Sequence, residues 1–285
     1  MPLWKPTDRT DVHLWLKPED ITGINTWTDS SGKGNSPTHT APPSKSATLK
    51  NGKNSAAFNG SSQYVKLDDG GTQPTDVGTG NFYIGAFIKV PTISSSVQTI
   101  LAKDRTGSTF SLRMNASRYV ITALPSGNVT GGDALTIGNY YWVWCFREGT
   151  GSNEVSVGYG DTVDTTGTSN SNLDEDSEFY VGVRENSGGS GLEKYWSGEI
   201  AEVLVVHAYP GTDDVDRIEG YVSHKFGEEG QLASAHAYKS GPPTSCHCVA
   251  KTTLSTTVLS SNPRNPAELT ENLNTFDERR NWTYG

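Results

Sequence analysis

Apolar and polar residues alternate in short runs along most of this chain, and polar turns separate the runs. The alternation predicts strands over residues 12–16, 63–67, 82–90, 97–103, 109–114, 119–124, 140–146, 154–159, 179–183 and 196–207. Residues 68–80, 128–133, 149–153, 162–172 and 185–191 are turn-rich and are expected to be spacers. Many short strands at this spacing indicate an antiparallel sandwich or barrel rather than alternating strand–helix units. One stretch changes period. After Pro210-Gly211, the residues Val215, Ile218, Val222 and Phe226 recur at helical spacing, with Tyr221 widening the stripe. Thr212 is the expected N-cap, Asp213 and Asp214 suit the positive end of the helix dipole, and Gly227 stands where a glycine cap belongs.

Residues 139–146 stand apart from the other predicted strands. Tyr140, Trp142, Trp144 and Phe146 fall on one face, while Tyr141, Val143 and Cys145 fall on the other. A sandwich strand usually wets one face, so something must cover the second. The candidates are the helix of residues 213–226, a loop, a partner subunit or a sugar ring, and cover from within the chain is the expectation. Aromatic rings also stack on sugars and anchor interfaces.

Composition narrows the partners. Hydrophobic residues make up only 33% of the 285, and 31 glycines supply many turns, which favours a sandwich over a helical bundle. A net charge of −9 without any dense Lys/Arg run disfavours nucleic acid or an anionic membrane. The first residues lack the basic-then-apolar layout of a secretory leader, and no run approaches a membrane span. Cys145 sits in the aromatic strand as a buried small residue, whereas Cys246 and Cys248 are too close for an ordinary bridge. Cys-His-Cys at 246–248 has no second ligand pair, so no metal or cofactor is expected. The odd cysteine count and the lack of a leader pattern make synthesis in a reducing cytoplasm the expectation.

Strand alternation stops near Gly241-Pro242-Pro243. Residues 244–285 are rich in Ser, Thr and Asn and carry two Asn-Pro steps, a composition that cannot bury enough surface to fold alone. Two units are expected: a domain over 1–243 and an extended arm over 244–285 that packs on a neighbouring subunit.

Two signatures together resemble a concanavalin A-like lectin/glucanase domain of the laminin-G type. The first is Leu14-Trp15-Leu16 followed by the 27–35 segment WTDSSGKGN, then Asn51-Gly52 and residues 57–60, AFNG. The second is GEIAE at 198–202 with EGY at 219–221, HKFG at 224–227, and a trailing His236, Tyr238 and Pro242-Pro243. They bracket about residues 11–243. The resemblance implies a two-sheet antiparallel jelly roll, often with a concave sheet that contacts glycans or proteins. The family includes enzymes, glycan-binding modules and structural modules, and free-standing members often resemble virion proteins of tailed bacteriophages. Fold alone does not choose among these.

Asp174-x-Asp176-x-Glu178 is the sharpest catalytic candidate. On a strand the three carboxylates would share a face, and retaining glycosidases need a nucleophile and an acid/base a few ångströms apart. The glucanase branch carries Glu-x-Asp-x-Glu, and Asp174 shortens the leading side chain. An acidic, solvated lead-in to the 179–183 strand is the preferred reading. Glu199 and Glu202, an odd number apart, are expected on opposite faces. Asp29 to Asn35 offers oxygen ligands for calcium but lacks the ordered acidic ladder of an EF-hand, so a tight turn around Asp29 is preferred. His13 alternates with core residues, as a packing or surface position.

The leading expectation is a non-enzymatic bacteriophage virion protein, made in the host cytoplasm. It would bind other virion proteins and copies of itself through its jelly roll and arm, as capsid decoration first, tail or fibre second. The alternative is a carbohydrate-binding adhesion module meeting a cell-surface glycan, with Trp142, Trp144, Tyr195 and Trp196 as stacking residues. Third is a glycoside hydrolase using Asp174 and Glu178.

Overall fold

The computed structural model describes residues 2–21, 27–46, 50–67, 76–93, 96–103, 110–149, 151, 154–174, 178–186 and 191–245. Within these residues the chain is a two-sheet antiparallel jelly-roll sandwich with one α-helix: the hydrophobic pattern predicts the strands and the helix, and the family resemblance implies the jelly roll. The first sheet runs β13 (Thr162–Gly167), β12 (Val155–Tyr159), β11 (Tyr140–Arg147), β6 (Phe82–Lys89), β17 (Glu199–Val206), β4 (Ala56–Ala57) and β3 (Ser44–Lys45). Strand β1 (Val12–Leu16) pairs the same edge of β17 as β4, further along its length. The second sheet runs β10 (Gly127–Thr130), β9 (Val120–Leu124), β8 (Phe110–Met114), β7 (Gln98–Lys103), β14 (Phe179–Val181), β5 (Tyr64–Leu67) and β2 (Thr38–Ala41). A small hairpin joins β15 (Arg184–Glu185) to β16 (Leu192–Glu193).

The inner faces meet in one core. Ile84, Ile88, Val143, Cys145, Val203 and Val205 of the first sheet pack with Leu101, Leu112, Val120, Phe179 and Val181 of the second. The outer face of the first sheet forms a second core of comparable character. Tyr83, Phe87, Trp142, Trp144, Leu204 and Val206 are covered there by Val215, Ile218, Val222 and Phe226 of α1 (Thr212–Phe226). Phe226 stacks on Phe87 with centroids 3.9 Å apart. Burying each such side chain contributes about 1.5–3 kcal/mol. The double-sided apolar pattern of residues 140–146 therefore has its cover inside the chain, from the predicted helix.

Several local expectations change. Gly127–Thr130 and Thr162–Gly167 are edge strands rather than spacers. Each pairs along one side, and β13 is largely open to solvent, so neither needs an apolar alternation. Thr212 is the first residue of α1, and Gly211 takes the N-cap position at φ 78° with no side-chain cap. Gly227 does close the helix, left-handed at φ 68°, while the Glu228 amide bonds the Ser223 carbonyl at 2.7 Å.

The described chain closes on itself. Trp4 N–H bonds Pro243 O and Ser245 N–H bonds Pro2 O, both at 3.0 Å, around the antiparallel Leu3–Thr244 bridge. Residues 246–285, most of the expected arm and its Cys-His-Cys, lie outside the described residues, as does Asp176.

Candidate functional site

Helix α1 carries a polar cluster near its middle and another near its C-terminal end. The C-terminal cluster is built on Glu202 of β17. The pairing of β17 with β6 slips between Ile200 and Glu202, so Ala201 and Glu202 both face the helix. This overturns the opposite-face expectation for the two glutamates. Glu199, held by Lys89 and by Ser55 at 2.5 Å, also lies on the helix side of the sheet, beneath Tyr140. A bulge adds one residue and reverses the parity.

Glu202 is 1% exposed. Its Oε1 accepts the Trp15 indole N–H at 2.6 Å, and its Oε2 lies 2.7 Å from Lys225 Nζ. Lys225 also donates to Tyr221 Oη at 2.8 Å and sits 3.0 Å from Glu19. Burial, then the charges of Glu202 and Glu19, pushes the Tyr221 phenol well above its usual range. Above this network lies a groove of about 460 Å³, lined in part by Leu3, Trp4, Trp15, Tyr221, Lys225 and Pro242. Its indoles are spent on packing: Trp4 and Trp15 are 4% and 5% exposed.

The second cluster joins Asp216 and Glu219, one helical turn apart on α1, to His236 in the segment that follows. Their ligand atoms lie within 4.8 Å of one another, and His236 Nε2 is 3.5 Å from Glu219 Oε2. Burial raises Glu219 to about 7, with the neighbouring His236 pulling partly back. Burial lowers His236, but the close contact with Glu219 and the charges of Glu219, Asp216 and Asp161 together raise it. The ring orientation opposes metal binding. His236 Nδ1 accepts the Tyr238 backbone N–H at 3.1 Å, so the neutral ring carries its hydrogen on Nε2, facing the carboxylates. A metal-ligating imidazole has the reverse arrangement, its far nitrogen donating. The trio is a cluster of titratable groups whose pKa values are all raised.

The predicted stacking residues are mostly inside. Trp142, Trp144 and Trp196 are 3%, 1% and 0% exposed. The first two lie beneath α1 and the third lies between the sheets. Trp142 Nε1 donates to Tyr83 Oη at 2.7 Å, and Trp144 Nε1 donates to Gly160 O at 2.9 Å. Their faces are closed to a sugar, because the strand is apolar on both sides and both sides are filled. Tyr195 alone is half-exposed, close enough to the half-exposed Tyr64 for that phenol to help burial raise its pKa.

Asp174 and Glu178 do not lie on a strand: β14 begins at Phe179, after Glu178. Asp174 Oδ1 accepts the Gly78 amide at 2.6 Å. Glu178 pairs with Lys66, and its Oε2 is 2.5 Å from Tyr180 Oη. Asp29 is likewise committed to a turn, accepting from the amides of Trp15, Ser31 and Asn35 and from the Ser31 hydroxyl. Sequence reasoning missed Arg147, 0% exposed at the end of β11, which donates to the carbonyls of Gly78, Gly80 and Ser171. It fixes the loops that carry Asp174.

No protein-family model and no curated protein matches this chain. Solved structures share its fold. Domain 4 of AbnA, a GH43 extracellular arabinanase from Geobacillus stearothermophilus solved with arabinotriose, is 14% identical with a TM-score of 0.50, over 69% of this chain and 92% of that one. The binding domain of Paraclostridial Mosquitocidal Protein 1 is 8% identical with a TM-score of 0.57, over 74% of this chain and 52% of that one. The binding domain of botulinum neurotoxin DC, solved with rat synaptotagmin II, is 11% identical with a TM-score of 0.53, over 73% of this chain and 51% of that one. The chain spans about half the length of those toxin domains. The likeness establishes the fold, a two-sheet β-sandwich.

Proposed function

We propose that this chain is a non-catalytic binding module of a bacteriophage virion, assembled after synthesis in the host cytoplasm. It joins neighbouring virion subunits through its jelly roll and the arm of residues 244–285, in capsid decoration before tail or fibre. The observation that carries the non-catalytic part is the placement of Asp174 and Glu178. One carboxylate caps a loop amide, the other is neutralised by Lys66, and no strand holds them as a pair. The fold is shared with two toxin binding domains, one of them solved with rat synaptotagmin II, and with an arabinanase domain solved with arabinotriose. The virion role rests on the family resemblance and on the composition of the arm.

The full chain and a chain ending at Ser245 should both fold, but only the full chain should assemble with itself or with virion proteins in sedimentation. Equal assembly by both would overturn the role of the arm, and β-glucan hydrolysis lost in Glu178→Gln would overturn the non-catalytic reading.

A second reading, glycan binding, is favoured by the half-exposed neighbours Tyr64 and Tyr195. Hits on a glycan array that vanish in Tyr195→Ala and persist in Trp142→Phe would establish it.

A further inference from the structure

We propose that Asp216, Glu219 and His236 form a proton-held latch, which keeps residues 232–243 docked across α1 while the trio holds its extra proton and releases them when it is lost. The docked segment has no strand of its own and is held by turns and a few side chains. Tyr238 presses on the helix at Gly220, where a Cβ would come within 2.5 Å of Tyr238 Cβ. His224 Nε2 lies 2.7 Å from Tyr238 O. His236 is the side chain that this segment inserts against the buried Glu219 and the half-buried Asp216, and its side chain is 3% exposed. From the latch the chain runs to Pro243 and Ser245, which pair with Trp4 and Pro2, and then into residue 246.

The surroundings make the proton count decisive. Asp216 and Asp213 come from α1, Asp161 from the turn after β12, Tyr83 from β6 and Tyr209 from the connection into α1. These neighbours are acidic or neutral, so an ionised Glu219 has His236 as its compensating cation. Asp216, Glu219 and His236 all have pKa values raised above their ordinary values, Asp216 chiefly by burial. The docked form therefore binds more protons than the released form. Docking is strongest below the ordinary carboxylate range and weakens as pH rises through about 7.

Hydrogen exchange of the full chain, corrected for intrinsic rates, tests this directly. Between pH 6 and 8.5 the opening equilibrium of peptides spanning 232–245 should rise about tenfold, because Glu219 moves from its ordinary range when released to about 7 when docked. Peptides from β6 and β11 should keep their protection, marking an intact sandwich. Glu219→Gln, which cannot ionise, should flatten the dependence. Should that variant fail to fold, Asp216→Asn should move the midpoint to lower pH, because Asp216 helps hold Glu219 up. A wild-type opening equilibrium indifferent to pH, an undiminished slope in Glu219→Gln, or an unmoved midpoint in Asp216→Asn would overturn the latch. Slowing of 232–245 exchange by Zn²⁺ added to chelator-treated protein would also overturn it, in favour of a metal site.

Discussion

The indole of Trp142 lies across Gly85 on the neighbouring strand, where a Cβ would fall 2.3 Å from Trp142 Cζ2. The missing side chain lets the ring lie flat beneath α1 and reach Tyr83 Oη. Gly85→Ala should therefore cost about 1–3 kcal/mol by overpacking. Chemical denaturation should show a lower midpoint with an unchanged slope.

Glu202 and Lys225 hold a buried ion pair that Glu19 extends toward solvent. Glu202→Gln keeps an acceptor for the Trp15 indole but leaves the Lys225 charge poorly matched. It should destabilise by roughly 3 kcal/mol, the lower end for a broken buried pair, because Glu19 remains. Adding Lys225→Met should restore part of that loss, as a double-mutant cycle would measure.

Burial first, and then Glu178 and Glu185, pushes the Tyr180 phenol far above its ordinary range. Glu178→Gln removes one of those charges. Ultraviolet difference titration, with Tyr180→Phe as reference, should find Tyr180 ionising at lower pH in the variant.

His13 stacks on His207 with centroids 3.4 Å apart. Burial, then the charges of His207 and Lys33, lowers His13 to about 4. Its depressed value means that the unfolded chain binds the proton more readily. The His13 contribution is whole above its ordinary value of 6.5 and is lost as pH falls toward about 4. His13→Gln should flatten stability against pH over that window in denaturant titrations.

The strands that face two layers were legible because burial on one or both sides leaves a mark in the residues. β6, β11 and β17 are nearly all apolar, and α1 shows its stripe from Val215 to Phe226. The edge strand β13 left no such mark, since Thr and Asp serve as well as Val where one flank is open. The alternation of Trp142 and Trp144 gave the face correctly, but alternation says nothing of what lies above a face. The slip at Glu202 was invisible because a bulge is a pairing event between two strands. Asp216 and Glu219 stand one turn apart in the sequence, whereas the arrival of His236 depends on how Tyr238 meets Gly220.

The bridge between Leu3 and Thr244 also has a mechanical meaning. Both ends of the described chain leave side by side, so tension applied through them would unzip the bonds from Ser245 to Pro2 and from Trp4 to Pro243 one after the other. The sandwich would bear load only after that seam had opened, which makes the seam a fuse between the domain and whatever pulls on it.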